Sequence, residues 1–105
     1  MKEMRHTYAR AIPKAWRQTA KLFEALGDPH RQRILLMFDP GEELTVGQIV
    51  AASTLSRSAV AHHLKMLREA GVLHAQKVGK EVWYRTDPQA VRDGLSAVMD
   101  YLADM

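Results

Sequence analysis

The chain has 105 residues, 47% hydrophobic and 26% charged, with a formal net charge of +3 and no cysteine. That length suits a single domain over residues 1–105, with no room for a second core. The missing thiols exclude disulfides, thiolate metal sites and thiol redox chemistry. No apolar run approaches the ~18 residues of a membrane span, and Met1 to His6 lack the apolar segment of a secretion signal, so a cytoplasmic protein is expected.

Charge is laid out in blocks. Residues 1–35 hold eight bases against three acids, and residues 53–85 hold six against two. Residues 36–52 and 86–105 are net acidic. Basic faces on a folded domain point to a polyanion partner, with solvated surface as the plainer alternative.

Ile12, Trp16, Ala20, Phe23, Ala25 and Leu26 recur at roughly helical spacing, and Gly27 predicts the end of that helix. Asp28-Pro29 predicts the next start, with Asp28 as N-cap and proline at the first helical position. The run Ile34 to Phe38 is apolar on nearly all sides, which predicts a central helix stopped by Asp39-Pro40-Gly41. Thr45 and Gln48 form a capping-box pattern opening a short helix that ends near Ser53-Thr54. Ser56 caps another helix, closed by Gly71. Two β-prone runs follow, Val72–Gln76 and Glu81–Arg85, with Val78-Gly79-Lys80 as the hairpin tip. Asp87-Pro88 starts a last helix with Val91, Leu95, Val98 and Leu102 on one stripe.

The order helix, helix, helix, helix, hairpin, helix predicts a mainly α protein with a two-stranded wing. Helices near 45–53 and 56–70, joined by about three residues, have helix-turn-helix spacing. In the second of these, Val60, Leu64 and Leu67 share an inward face. Ser58, Ala61, His62 and Lys65 share the other. The small residues there allow close approach to a groove floor. Ser58 and His62 can bond base edges or phosphates, and Arg57 can fork onto guanine or phosphate. The helix start at Ser56 offers free N–H groups. No acid occurs from Ser53 through Arg68, although an ordinary amphipathic helix with a polar outer face would follow the same spacing. Lys77 and Lys80 bracket the hairpin tip and Arg85 lies at its base, where a wing meets DNA backbone or minor groove.

The segment Leu22 to Pro29, followed by Arg31 to Leu35, resembles the first two core helices of the ArsR/SmtB family of bacterial repressors. Leu55 to Leu73 is similar to that family's recognition helix and following turn, and Gly79 to Arg85 to its wing. The similarity covers roughly residues 16–104. It implies a winged helix-turn-helix homodimer that binds an imperfect palindrome and blocks transcription, often of its own operon.

Pairing would also cover apolar surface. Ile12, Trp16 and Phe23 on the first helix and Val91, Leu95, Val98, Met99 and Leu102 on the last exceed what a domain this small hides alone. The alternative is that both helices fold back within one chain. Paired helices would set two recognition helices about one DNA turn, ~34 Å, apart.

Many relatives in that family sense metals. The resemblance places the cysteines of one familiar site at Thr45 and Gly47, which bind no soft metal. A second familiar site falls on Asp87, Gln89, Asp100 and Ala103, two carboxylates without imidazole. No metal site and no cofactor are therefore expected. A cryptic His/Asp site using His6 or His30 stays open, since nothing in the sequence places them together. Adjacent His62 and His63 point about 100° apart on a helix and chelate poorly. His62 is assigned to DNA, and His63 to a partly buried hydrogen-bonding role. The remaining effectors are an organic ligand, a partner protein or none. Two other classes are alternatives: a protein-interaction module on the same scaffold, and an enzyme. The enzyme lacks a cysteine nucleophile, a Gly-x-Ser-x-Gly elbow and a phosphate-binding glycine motif. Single-strand binding is disfavoured because Trp16, Phe23, Phe38, Trp83 and Tyr84 are expected in core or hairpin packing.

Overall fold

The computed structural model describes residues 11–105. His6 lies outside them. Five helices and three short strands follow in the order α1 (Lys14–Leu26), α2 (Pro29–Leu35), β1 (Glu43–Thr45), α3 (Val46–Ala52), α4 (Arg57–Glu69), β2 (Leu73–Val78), β3 (Glu81–Thr86) and α5 (Pro88–Ala103).

Helix starts follow local chemistry. Asp28 Oδ1 accepts from the backbone N–H of His30 at 2.7 Å and of Arg31 at 3.4 Å. The His30 amide, above all, holds the Asp28 carboxyl below the usual aspartate range. Thr45 Oγ1 accepts from Gln48 N, and Gln48 Oε1 accepts from Thr45 N, completing the capping box. Ser56 Oγ accepts from Ala59 N. Asp87 caps α5 through Ala90 N and lies 2.7 Å from His74 Nε2. At the end of α4, Gly71 takes φ +79°. The Val72 and Gly71 amides there return to the carbonyls of Leu67 and Arg68, a Schellman closure.

Gly27 ends α1 as expected, in right-handed conformation with φ −77°. Three expectations are corrected. α1 begins after Pro13, so Ile12 precedes it. α2 stops at Leu35 and does not extend to Phe38. Met37 N and Phe38 N turn back to the Ile34 and Leu35 carbonyls, and Leu36 is left 82% exposed. The wing, expected with two strands, carries a third. β1 pairs antiparallel with β3, Thr45 opposite Trp83, in the order β1-β3-β2.

The core is built from one stripe each of α1, α2, α3 and α4 and the base of the wing: Leu22, Ile34, Ile49, Val60, Leu64, Leu67, Val72 and Leu73 are buried. Each such side chain contributes about 1.5–3 kcal/mol relative to exposure. Val60, Leu64 and Leu67 form the expected inward face of α4. α1 and α5 pack against each other. Thr19 Oγ1 donates to the Gly94 carbonyl, and a Cβ at Gly94 would lie 2.6 Å from Leu22 Cδ2. Trp16 meets Tyr101 edge-on at 5.9 Å. Gln18 Nε2 donates to the Ala70 carbonyl at 2.6 Å, joining α1 to the end of α4.

Candidate nucleic-acid interface

The capping box starts α3, Ser53 to Ser56 make a tight turn, and Ser56 restarts the chain as α4. Burying Ile49 on α3 and Val60, Leu64 and Leu67 on α4 fixes which face of each helix points outward. Ser56, Arg57, Ser58, Ala61, His62 and Lys65 are all exposed. The face assigned to DNA is therefore free, and no acid stands on it.

His63 is the partly buried histidine of the pair, as expected. Its Nδ1 lies 3.2 Å from Arg31 Nη1. Arg31 also donates through Nε to the Ala25 carbonyl at 2.7 Å and through Nη2 to the Glu24 carbonyl at 3.1 Å. A guanidinium only donates, so Nδ1 must accept, which leaves the ring proton on Nε2. Desolvation, foremost, lowers the His63 pKa from its ordinary 6.5, the nearby Arg31 acting in the same direction against Asp28. One arginine thus ties α1, α2 and the recognition helix together. Sequence reading missed it, since Arg31 and His63 stand 32 residues apart.

The wing sorts its bases by strand parity. Residues directly opposite in an antiparallel pair share a face. Lys77 pairs with Val82, two residues from Tyr84, which packs against the core. Lys77 is therefore on the helix-facing side, beyond the core. Arg85 pairs with His74 and Glu43 on the opposite face. Lys77 and Arg85 are not brought together. Lys80 sits in the two-residue turn after Gly79, whose φ of +62° suits a hairpin. It lines one hollow of about 300 Å3 together with Arg57, Thr45, Gly47 and Glu81. Two cations, from the start of α4 and from the wing tip, thus border one place together with the Glu81 carboxylate. Among the described residues no cluster of three or more His, Asp or Glu is arranged to hold a metal ion, and no helix is long and apolar enough to cross a membrane.

The residues assigned to pairing divide. Val91 is half-buried against its own chain's core, and Trp16 is half-buried beside Tyr101. Val98 is also half-buried. Ile12, Phe23, Leu95, Met99 and Leu102 are exposed, at 52%, 48%, 39%, 64% and 51%. Phe23 is thus not committed to the core. Tyr101 and Met105, not singled out from sequence, extend the exposed apolar surface along α5 and its end.

A helix, a tight turn and a second helix with a basic, acid-free outer face, beside a wing with lysine at its tip, define the winged helix-turn-helix class of DNA-binding proteins. The sequence pattern of the bacterial regulatory protein, arsR family, matches residues 28–75. The transcriptional repressor SmtB homolog of Synechocystis sp. is 34% identical over 87 residues, which are 83% of this chain and 65% of that protein. The HTH-type transcriptional regulator YgaV of Escherichia coli is 30% identical over 74 residues, 70% of this chain and 75% of that one. An ArsR-like transcriptional regulator from Rhodococcus sp. RHA1 superposes with a TM-score of 0.74 at 26% identity, over 83% of this chain and 81% of that one. The solution structure of a homodimeric winged helix-turn-helix DNA-binding domain from Mycobacterium bovis, a possible ArsR-family regulator, gives 0.64 at 28%, over 83% and 79%. The chain belongs to the ArsR family of transcriptional regulators, which bind DNA and are not enzymes.

Proposed function

We propose that this single domain is a cytoplasmic homodimeric repressor of its own or a neighbouring operon, binding an imperfect palindrome. α4 enters the major groove with Ser58, Ala61, His62 and Lys65 against the bases. Arg57 and Lys80 hold a backbone phosphate, and Lys77 lies along the flanking backbone or minor groove. Arg85, on the far wing face, reaches DNA only beyond the wing's edge. The protein does not use the cysteine metal site of its relatives, since it has no cysteine.

The observation that carries this reading is the hollow shared by Arg57 and Lys80 beside an exposed, acid-free helix face. Pairing through α1 and α5 is supported by the exposed apolar residues there and by the homodimeric M. bovis relative.

The test is a fluorescence-anisotropy titration of DNA from upstream of its own gene against scrambled DNA, at two salt concentrations, with zinc or EDTA. Preferential binding that weakens steeply with salt and ignores zinc is expected. Zinc-abolished binding would restore a metal site. Equal affinity for scrambled DNA would remove the proposed operator and favour a protein partner.

A further inference from the structure

A hollow of about 470 Å3 opens between α2 and the turn that leads into α4. That is the size of a small-molecule site. Its walls are His30, Arg33, Ile34 and Met37 on one side and residues 52–55 on the other, with no acid among them.

Its lining is of two kinds. Arg33 Nη1 lies 3.4 Å from His30 Nδ1. Arginine only donates, so Nδ1 accepts and the ring proton is left on Nε2. Guanidinium and imidazole N–H groups thus stand side by side, and among the described residues Arg33 forms no ion pair. Ile34, Met37, Ala52 and Leu55 offer apolar surface. A bare inorganic oxyanion would satisfy the donors and leave most of the volume and the apolar lining unmet. A neutral hydrophobe would leave the donors unmet.

The hollow lies next to the recognition helix by two routes. Ser53 Oγ donates to the Val50 carbonyl and accepts from Leu55 N, so the lining turn is the one that leads into the Ser56 cap. The His30 ring stands 5.9 Å from that of His63, on α4 itself.

We propose that this hollow is an effector site for a small organic anion, a carboxylate on an aromatic or short aliphatic body, and that filling it shifts α4 against α2 and weakens DNA binding. The effect on DNA rests on the reading given above; the binding step does not.

The test titrates the full chain with indole-3-acetate, its neutral amide and inorganic phosphate, following backbone 1H–15N signals, then repeats the operator titration with the acid present. The acid should move the signals of Met37, Thr54 and Leu55. Arg33→Gln, on an exposed side chain, should weaken it about tenfold, a loss of roughly 1.4 kcal/mol. The amide and phosphate should bind no better than the acid binds that variant. The acid should lower operator affinity in the parent chain and leave it unchanged in Arg33→Gln. Shifts that are absent, lie elsewhere or persist in Arg33→Gln would overturn the proposal, as would an equally good amide. Loss of operator affinity in Arg33→Gln without any acid would also overturn it, since the hollow's cations would then serve a DNA phosphate. If the acid binds as expected but no DNA is bound at all, the DNA-binding reading fails and the binding site stands.

Discussion

Arg31 Nη1 approaches His63 Nδ1 to 3.2 Å while the same guanidinium holds the carbonyls of Ala25 and Glu24. The Arg31 side chain is only 11% exposed. Removing it takes a donor from three acceptors at the junction of three helices, the Ala25 carbonyl and His63 Nδ1 in part-buried surroundings. Hydrogen bonds to charged groups carry about 1.5–3 kcal/mol each, so Arg31→Met should lower stability by at least ~2 kcal/mol in urea denaturation. Arg31→Lys should recover little, because a single ammonium cannot fork onto three acceptors. Full rescue by lysine would show that charge alone matters there.

His63 also predicts how stability follows pH. Its pKa is lowered in the folded chain, so the unfolded chain binds the extra proton first. Stability is full above about 6.5 and falls as pH drops from there through the folded value. Asp28, Arg31, His62 and His30 face the ring. Asp28 and Asp87, both lowered, add a second loss at more acid pH, as each is protonated. In His63→Gln the amide oxygen still accepts from Arg31 and nothing titrates. The upper window should vanish from a series of urea midpoints against pH, and the lower one should remain.

The two kinds of DNA contact separate experimentally. Arg57→Ala and Lys80→Ala should each weaken operator and scrambled DNA alike and reduce the salt slope by about one. His62→Ala should cost about 1–3 kcal/mol on the operator only and flatten preference at one base pair. A Lys80 variant that altered base preference but not salt slope would place the wing tip in a groove.

Gly94 tests how α1 lies on α5. Alanine favours a helix over glycine by about 1 kcal/mol. Its Cβ would nonetheless lie 2.6 Å from Leu22 Cδ2, in the core. Overpacking of this kind costs about 1–3 kcal/mol, so Gly94→Ala should have a lower urea midpoint. A raised midpoint would mean that Leu22 has room to turn aside.

Met99 and Leu102 stand exposed on α5 among the described residues. Met99→Glu with Leu102→Glu should leave the helical circular dichroism spectrum intact and shift sedimentation from dimer to monomer. Operator affinity should fall with it, since one half-site is then bound at a time. An unchanged sedimentation coefficient would move the interface elsewhere.

Local chemistry was readable and long-range pairing was not. Asp28-Pro29, Thr45 with Gln48, Ser56, Gly71 and Asp87-Pro88 mark element ends because each cap acts within a few residues. Leu36 was misread because its neighbours in an apolar run hide the end of α2. β1 was invisible: three residues are too few to alternate, and they become a strand only by meeting β3 about forty residues later. The outer face of α4 followed from helical period alone. The hollow shared by Arg57 and Lys80, and the meeting of Arg31 with His63, depend on how helices and wing fold over one another. The far-side placement of Arg85 was within reach, because pairing across Gly79-Lys80 fixes the parity of every wing residue.

Thr45 is at once the last residue of β1, opposite Trp83, and the cap of α3. No loop separates strand from helix, so the third strand of the wing and the first turn of α3 are anchored on one residue. The wing sheet and the helix that leads into the turn before Ser56 therefore share a fixed point. Were a ligand at that turn to weaken DNA binding, DNA would have to weaken the ligand by the same factor, because coupling between two sites is reciprocal.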